Sequence, residues 1–199
     1  MNPKPYSESC DQNREPILAI LREVFADRAH VLEIGSGTGQ HAVYFGAALA
    51  HLRWQTADVA DYHPGINAWL REAALPNTVS PLALDVNNRD WHSGRYDAVF
   101  SANTLHIMSA PEVERFFEGV GHVLEPGGVL GVYGPFNYGG RFTSESNARF
   151  DQWLKARDPA SGVRDFERVN QVASQQGLTL AQDYAMPANN RMLVWVKAV

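Results

Sequence analysis

Residues 31–41 read Val-Leu-Glu-Ile-Gly-Ser-Gly-Thr-Gly-Gln-His. A short apolar run gives way to glycine at every second position, Gly35, Gly37 and Gly39, and residues 40–50 then carry a helical pattern. Glycine adopts positive φ at no steric cost and lets a ligand approach the backbone closely. A chain that turns from strand to helix through such a loop is directed towards a layered α/β fold, and in doubly wound sheets that junction is a ligand-binding edge. The spacing discriminates further. A dinucleotide fingerprint, Gly-x-Gly-x-x-Gly, needs its third glycine where Gln40 stands, and here the glycine comes one place early. This disfavours a nicotinamide-dependent oxidoreductase and leaves a plain tight turn as the unspecific alternative.

The rest of the chain continues the alternation. A helix is expected at about 11–28, with Asp11 and Asn13 suited to its N-cap, Pro16 in its first turn and Ile17, Leu18, Leu21, Val24 and Phe25 at helical spacing. Apolar runs at 52–57, 79–84, 96–101 and 129–133 read as strands. Residues 64–74 read as a helix, Ser109 to Glu112 has the form of a capping box, and Pro126, Gly127 and Gly128 read as a turn. Further helices are expected over 144–155 and from Asp165 to the stop at Gly177. Two strands, 178–185 and 191–197, close the chain, with Asn189 and Asn190 suited to positive φ between them. The expected architecture is α/β. It has a doubly wound, seven-stranded, mostly parallel sheet (Rossmann-like) with an antiparallel C-terminal hairpin, in one domain spanning 1–199. A glycine-rich, lid-like helical insertion occupies about 136–165.

Composition narrows the partners. With 17 basic against 22 acidic residues the formal charge is −5, and no Lys/Arg stripe forms, so nucleic acid is not expected. No apolar run approaches the roughly 18 residues that cross a bilayer. Residues 1–14 are polar and include Glu8 and Asp11, so they do not read as a secretory signal. Cys10 is the only cysteine, which rules out an intrachain disulfide, and the seven histidines show no paired ligand spacing, so no metal is expected. The expectation is a cytoplasmic protein acting on a small molecule.

Carboxylates stand at the strand ends. Asp58 follows the second strand, where an acid about 20 residues beyond a glycine loop accepts two ribose hydroxyls; it equally suits a cap for the helix near Pro64. Asp85 offers a carboxylate to an adenine amino group, and Val86 offers its backbone amide to the ring; beside Asn87 and Asn88 the same acid also reads as a turn residue. Glu33, just before the glycines, is placed to order the loop by accepting amide hydrogens.

Glu-x-Gly-x-Gly-x-Gly resembles motif I of the class I S-adenosylmethionine-dependent methyltransferases, Asp85 resembles their acidic motif, and the closing hairpin resembles their last two strands. The resemblance implies S-adenosyl-L-methionine as cofactor and S-adenosyl-L-homocysteine as product. It places the loop Gly35, Ser36, Gly37 and Gly39 against the methionine part, Glu33 near the ammonium end, and residues 101–103, with Asn103, under the sulfonium. A narrower likeness covers most of the chain. Residues 35–41, 103–106, 133–136, 146–147, 150–151, 162–165 and 186–190, with Asn13 to Ile17, resemble the methyltransferase-like protein 26 family. That likeness implies the fold and the cofactor site, Asn13 included, and supplies no acceptor.

Candidates for the acceptor site come from the remaining polar residues. His106 follows the fourth strand, and its ordinary pKa suits a general base; an ordinary loop histidine is the alternative. Tyr133 and Tyr138 follow the fifth strand and suit a wall or a hydrogen bond to the acceptor, although Tyr133 also suits the core. Asn147 and Asp151, four apart, share one helical face that is either a substrate-contacting lid or simply solvated. His41 points into the pocket or caps the turn. The expected activity is methyl transfer to a small polar metabolite, with a catalytically silent cofactor-binding sensor or scaffold as the alternative.

Overall fold

The computed structural model describes residues 4–88, 91 and 94–199. The helices are α1 (Glu8–Val24), α2 (Gln40–Ala48), α3 (His63–Ala73), α4 (Ala110–Val123), α5 (Glu145–Arg157) and α6 (Phe166–Gln175). The strands are β1 (His30–Ile34), β2 (Arg53–Asp58), β3 (Thr78–Ala83), β4 (Tyr96–Ala102), β5 (Leu124–Gly134), β6 (Phe136–Asn137), β7 (Arg164–Asp165), β8 (Leu178–Met186) and β9 (Asn190–Lys197). Seven strands form one sheet in the order β3-β2-β1-β4-β5-β9-β8. Strands β1 to β5 pair in parallel, and β9 runs antiparallel to both β5 and β8. The mostly parallel sheet with a closing hairpin, predicted from the alternation of strands and helices, is the sheet observed.

Each face of the sheet buries its own apolar set. Trp54, Phe100 and Met192 pack with Ile17, Leu21, Phe45 and Ile66 of α1, α2 and α3. Leu32, Val99, Leu130 and Trp195 pack with Phe116, Phe117, Val169 and Val172 of α4 and α6. The chain reverses its direction of winding between β1 and β4, and at that switch point the strand ends splay into a crevice. No helix among the described residues is long and apolar enough to cross a membrane.

Three local expectations are corrected and one link is added. Helix α1 starts at Glu8 with Ser7 in the capping position, so Asp11 and Asn13 lie inside the helix rather than at its N-cap. Asp11 instead pairs with Arg14 one turn on, at 2.6 Å. Pro126 to Gly128 does not separate α4 from β5, because pairing begins at Tyr96↔Leu124 and the turn is absorbed as a register shift before Ala98↔Val129. The insertion at about 136–165 is tied at its base by β6 pairing in parallel with β7, a link that two residues per strand are too short to announce in sequence. In the β8–β9 connection positive φ falls on Ala188 (56°) and Asn189 (58°), whereas Asn190 is extended.

The capping box is present as expected. Glu112 N donates to Ser109 Oγ at 3.4 Å, and Ser109 N donates to Glu112 Oε2 at 2.7 Å. Ser109→Ala should lower stability by about 1 kcal/mol, the usual loss for an N-cap; an unchanged urea midpoint would show that the cap contributes nothing.

Candidate functional site

The glycine loop is stitched to the end of β2. Gly35 N and Ser36 N both donate to Ala57 O, at 2.9 and 3.1 Å. Ser36 Oγ donates to Glu33 Oε2 at 3.0 Å, and Gly37 N donates to Asp58 Oδ2 at 2.7 Å. Gly35, Gly37 and Gly39 all take positive φ, at 74°, 55° and 91°. Two of them are also sterically required. A Cβ on Gly35 would stand 2.7 Å from Thr104 Oγ1, and one on Gly39 would stand 3.0 Å from the Ile66 backbone.

The crevice that opens over this loop measures about 390 Å³, within the range of small-molecule sites. Gly35, Ser36 and Gly37 line it together with Asp58, Asp85, Val86 and Asn103. The structure therefore brings together the strand-end acids and the glycine loop. Glu33, Gly39 and Asn13 do not line it, and Asn13 lies on a neighbouring cavity instead. Gly39 packs behind the loop against α3. Glu33 is buried beneath, accepting from Trp54 Nε1 at 3.1 Å as well as from Ser36. Burial pushes the Glu33 carboxyl up to about 7, against the hydrogen bonds from Trp54 and Ser36.

The crevice wall is acidic. Asp58, Asp85 and Glu112 line it, and among the described residues no lysine or arginine does. Asp58 is half-buried, with one carboxylate oxygen on Gly37 N and the other accepting from Val59 N at 2.8 Å; burial raises its pKa. A carboxylate oxygen accepts more than one hydrogen bond, so both can still meet a ligand. Asp85 does form the turn that its asparagine neighbours suggest, accepting from Asn87 N at 2.9 Å, and it faces the crevice at the same time. Among the described residues no three His, Cys, Asp or Glu side chains gather as a metal site.

A second cavity of about 450 Å³ adjoins the first, and Asn103 and Ser9 line both. Asn103 follows β4 with φ at 57° and donates its backbone N–H to Tyr133 O at 2.8 Å. Asn13, Tyr133, Asn147 and Phe150 line this second cavity. His41 lines the crevice and reaches back to Asn13, with Nε2 2.7 Å from Asn13 Oδ1. Burial lowers its pKa to about 4. The side-chain amides of Asn190 and Asn13 donate towards the Tyr133 phenol, yet burial dominates and keeps its pKa raised. Asn13 thus stands between a residue of the crevice and a residue of the cavity.

Three expected acceptor residues are not brought to either wall. His106 is buried behind it, with its ring edge-on to Phe150 at 5.1 Å. A Cβ added to Gly134 would stand 3.9 Å from His106 Nδ1 and 4.0 Å from Asn103 Oδ1. Burial, then the Arg164 guanidinium, hold the His106 imidazole down to about 4, so it is neutral at pH 7. Asp151 is buried and holds the insertion together, accepting from Val163 N at 2.9 Å and Lys155 Nζ at 2.7 Å. The face it shares with Asn147 is not solvated. Tyr138 donates to Asp183 Oδ2 at 2.8 Å and stacks on Phe166.

Several residues of the site carried no signal of that role in the sequence. Gln40 uses both ends of its amide on the Ser7 backbone, accepting from N at 2.6 Å and donating to O at 3.2 Å, which brings the start of α1 over the crevice. Glu112 reads as a helix cap and is also crevice wall. Ala188 and Asn190 enter the second cavity from the far end of the chain.

The strand order, the hairpin and the crevice at the β1–β4 switch define the methyltransferase fold. An O-methyltransferase family protein from Burkholderia thailandensis matches with a TM-score of 0.82 at 17% identity, over 92% of this chain and 56% of that one. SibL, an S-adenosylmethionine-dependent methyltransferase in its apo form, matches at 0.81 with 21% identity, over 96% and 56%. PigF, determined with SAH, matches at 0.78 with 14% identity, over 92% and 61%. At such identities the likeness is one of fold, and this chain spans little more than half the length of those proteins. The family model described as "Protein of unknown function (DUF938)" matches residues 4–197, and the chain belongs to that family.

The Glu33 environment generates a stability prediction. With a native pKa of about 7 against an ordinary 4.5, the folded protein holds a proton that the unfolded chain has released between those values. Stability therefore falls as pH rises through that window. In Glu33→Gln this component of the fall should vanish, as read from unfolding free energies across the pH range. A wild-type-minus-variant difference that stays constant with pH would contradict the assignment.

Proposed function

We propose that the chain binds S-adenosylmethionine in the crevice and transfers its methyl group to a small polar metabolite in the adjoining cavity. The acidic crevice wall carries this reading. A dinucleotide brings a pyrophosphate, which needs backbone donors or basic side chains. Here Gly37 N is already given to Asp58, and Asp58, Asp85 and Glu112 would repel an anion. A ligand with a positive sulfur and an ammonium group meets the opposite field. Asp58 suits the ribose hydroxyls, Asp85 and the Val86 amide suit the adenine edge, and the glycine loop suits the amino-acid part. The resemblance of the glycine loop to motif I of class I methyltransferases, and the methyltransferases that share the fold, support the same reading.

Bound there, S-adenosylmethionine supplies a methyl carbon that an acceptor atom attacks in line as the carbon–sulfur bond breaks and sulfur keeps the pair. The protein's part is to align the two molecules and exclude water. Asn103, shared by the crevice and the cavity, marks the meeting point. The insertion at about 136–165, through Asn147 and Phe150, covers the acceptor side. His106, neutral and behind Asn103, is a positioning residue there. A sensor without turnover is the second reading, because Tyr133 is the only ionisable side chain on the cavity wall among the described residues.

Asp58→Ala should weaken S-adenosylhomocysteine binding by roughly 1.5–3 kcal/mol, as for a hydrogen bond to a charged group. Calorimetry with unchanged affinity would remove Asp58 from the site. Incubation with methyl-labelled S-adenosylmethionine and a metabolite extract separates enzyme from sensor: labelled product marks the first, and tight binding without product the second. His106→Gln should leave cofactor affinity intact and lower turnover. Between pH 5.5 and 8 the pH–rate profiles of the wild type and His106→Gln should have the same shape, because the imidazole is held down to about 4; an inflection near pH 6.5 that disappears in the variant would place a normally solvated histidine in the reaction.

A further inference from the structure

The second cavity is walled without charge. Six carboxamides, Gln12, Asn13, Asn103, Asn147, Asn189 and Asn190, converge on it, and among the described residues no aspartate, glutamate, lysine, arginine or histidine lines it. This is unusual for a chain in which 20% of residues are Asp, Glu, Lys or Arg, and it contrasts with the acidic crevice next door. The polar groups are held in place rather than loose. Asn147 Nδ2 gives its hydrogens to Thr143 Oγ1 at 3.0 Å and Asn189 O at 3.1 Å, which leaves Oδ1 as the atom that can meet a ligand. Asn13 Oδ1 is engaged with His41, and Asn103 is fixed by a left-handed backbone at the end of β4. Between the amides stand flat apolar surfaces, Phe150 and Pro135 among them.

We infer that this cavity selects an uncharged ring compound bearing both hydrogen-bond donors and acceptors, and rejects carboxylates, phosphates and ammonium groups. A carboxamide wall offers donors and acceptors side by side, which matches an amide, lactam or hydroxyl edge, and the proline and phenylalanine surfaces accept the ring faces. An ion moved into the same space would lose its water shell and find no counter-charge to replace it. An ammonium group would in addition meet the sulfonium at Asn103. That last point rests on the crevice being the S-adenosylmethionine site; the neutrality of the wall does not.

The test uses the full chain and three probes of one shape: benzamide, benzoate and benzylammonium. Their binding is measured by ligand-detected NMR with and without saturating S-adenosylhomocysteine. The affinity for that compound is determined first by calorimetry, so that failure of the cofactor reading is seen separately. Benzamide should bind in both conditions, and each charged probe at least about tenfold more weakly, because the neutral wall does not repay desolvation. In Asn147→Asp, with folding checked by thermal melt, benzylammonium should gain and benzoate should lose further. Equal or tighter binding of either charged probe to the natural chain overturns the inference, as does absence of benzamide binding at millimolar concentration.

Discussion

The carboxylate of Asp58 links the shape of this site to its charge. It ends β2, takes the Gly37 amide at 2.7 Å and so pins the glycine loop across the top of β1. With Ala57 O holding Gly35 and Ser36, the loop is tied to the end of β2, and the crevice opens over it at the switch point between β1 and β4. The same bond withdraws from the loop an amide hydrogen that an anionic ligand would use and leaves a negative charge in its place. Geometry and electrostatics of the site thus share one cause.

The fold was legible in the chain because its signals are periodic and local. Glycine at every second position after an apolar run, the Ser109–Glu112 box and the alternation of apolar strands with amphipathic helices each depend on a few neighbouring residues. The cofactor side was legible for a related reason: in a parallel sheet the residue after each strand falls on one edge, so Asp58, Asp85 and Asn103 are brought together by topology alone. The strand start at Leu124 was not, because Pro-Gly-Gly reads as a terminator and only pairing with β4 reveals a strand that carries it as a bulge.

The acceptor side was much less legible, since its residues come from α1, the end of β4, α5 and the β8–β9 connection, and no local pattern links them. His106 was placed by its distance from β4, but whether a side chain after a strand faces a cavity or the packing behind it depends on the insertion that folds over it. Here Phe150 takes the wall and His106 the second layer. Asp151 shows the same limit: helical spacing puts it on one face with Asn147, but not at the same depth, and the Val163 amide claims it. Asn13 was assigned to the cofactor site by resemblance alone, and its place on the second cavity, between His41 and Tyr133, is a tertiary fact.

Those three side chains join the crevice to the cavity across α1, so the two spaces share a wall rather than merely lie near each other. The central claim, that an acidic crevice at the β1–β4 switch receives a positively charged adenosyl compound which meets its acceptor at Asn103, is tested most directly by a crystal structure of the protein grown with S-adenosylmethionine. The account predicts ribose hydroxyls on Asp58, adenine beside Asp85 and Val86, and the methyl group directed past Asn103 into the amide-walled cavity. Density for the compound elsewhere, or a crevice left vacant at saturating concentration, would contradict it.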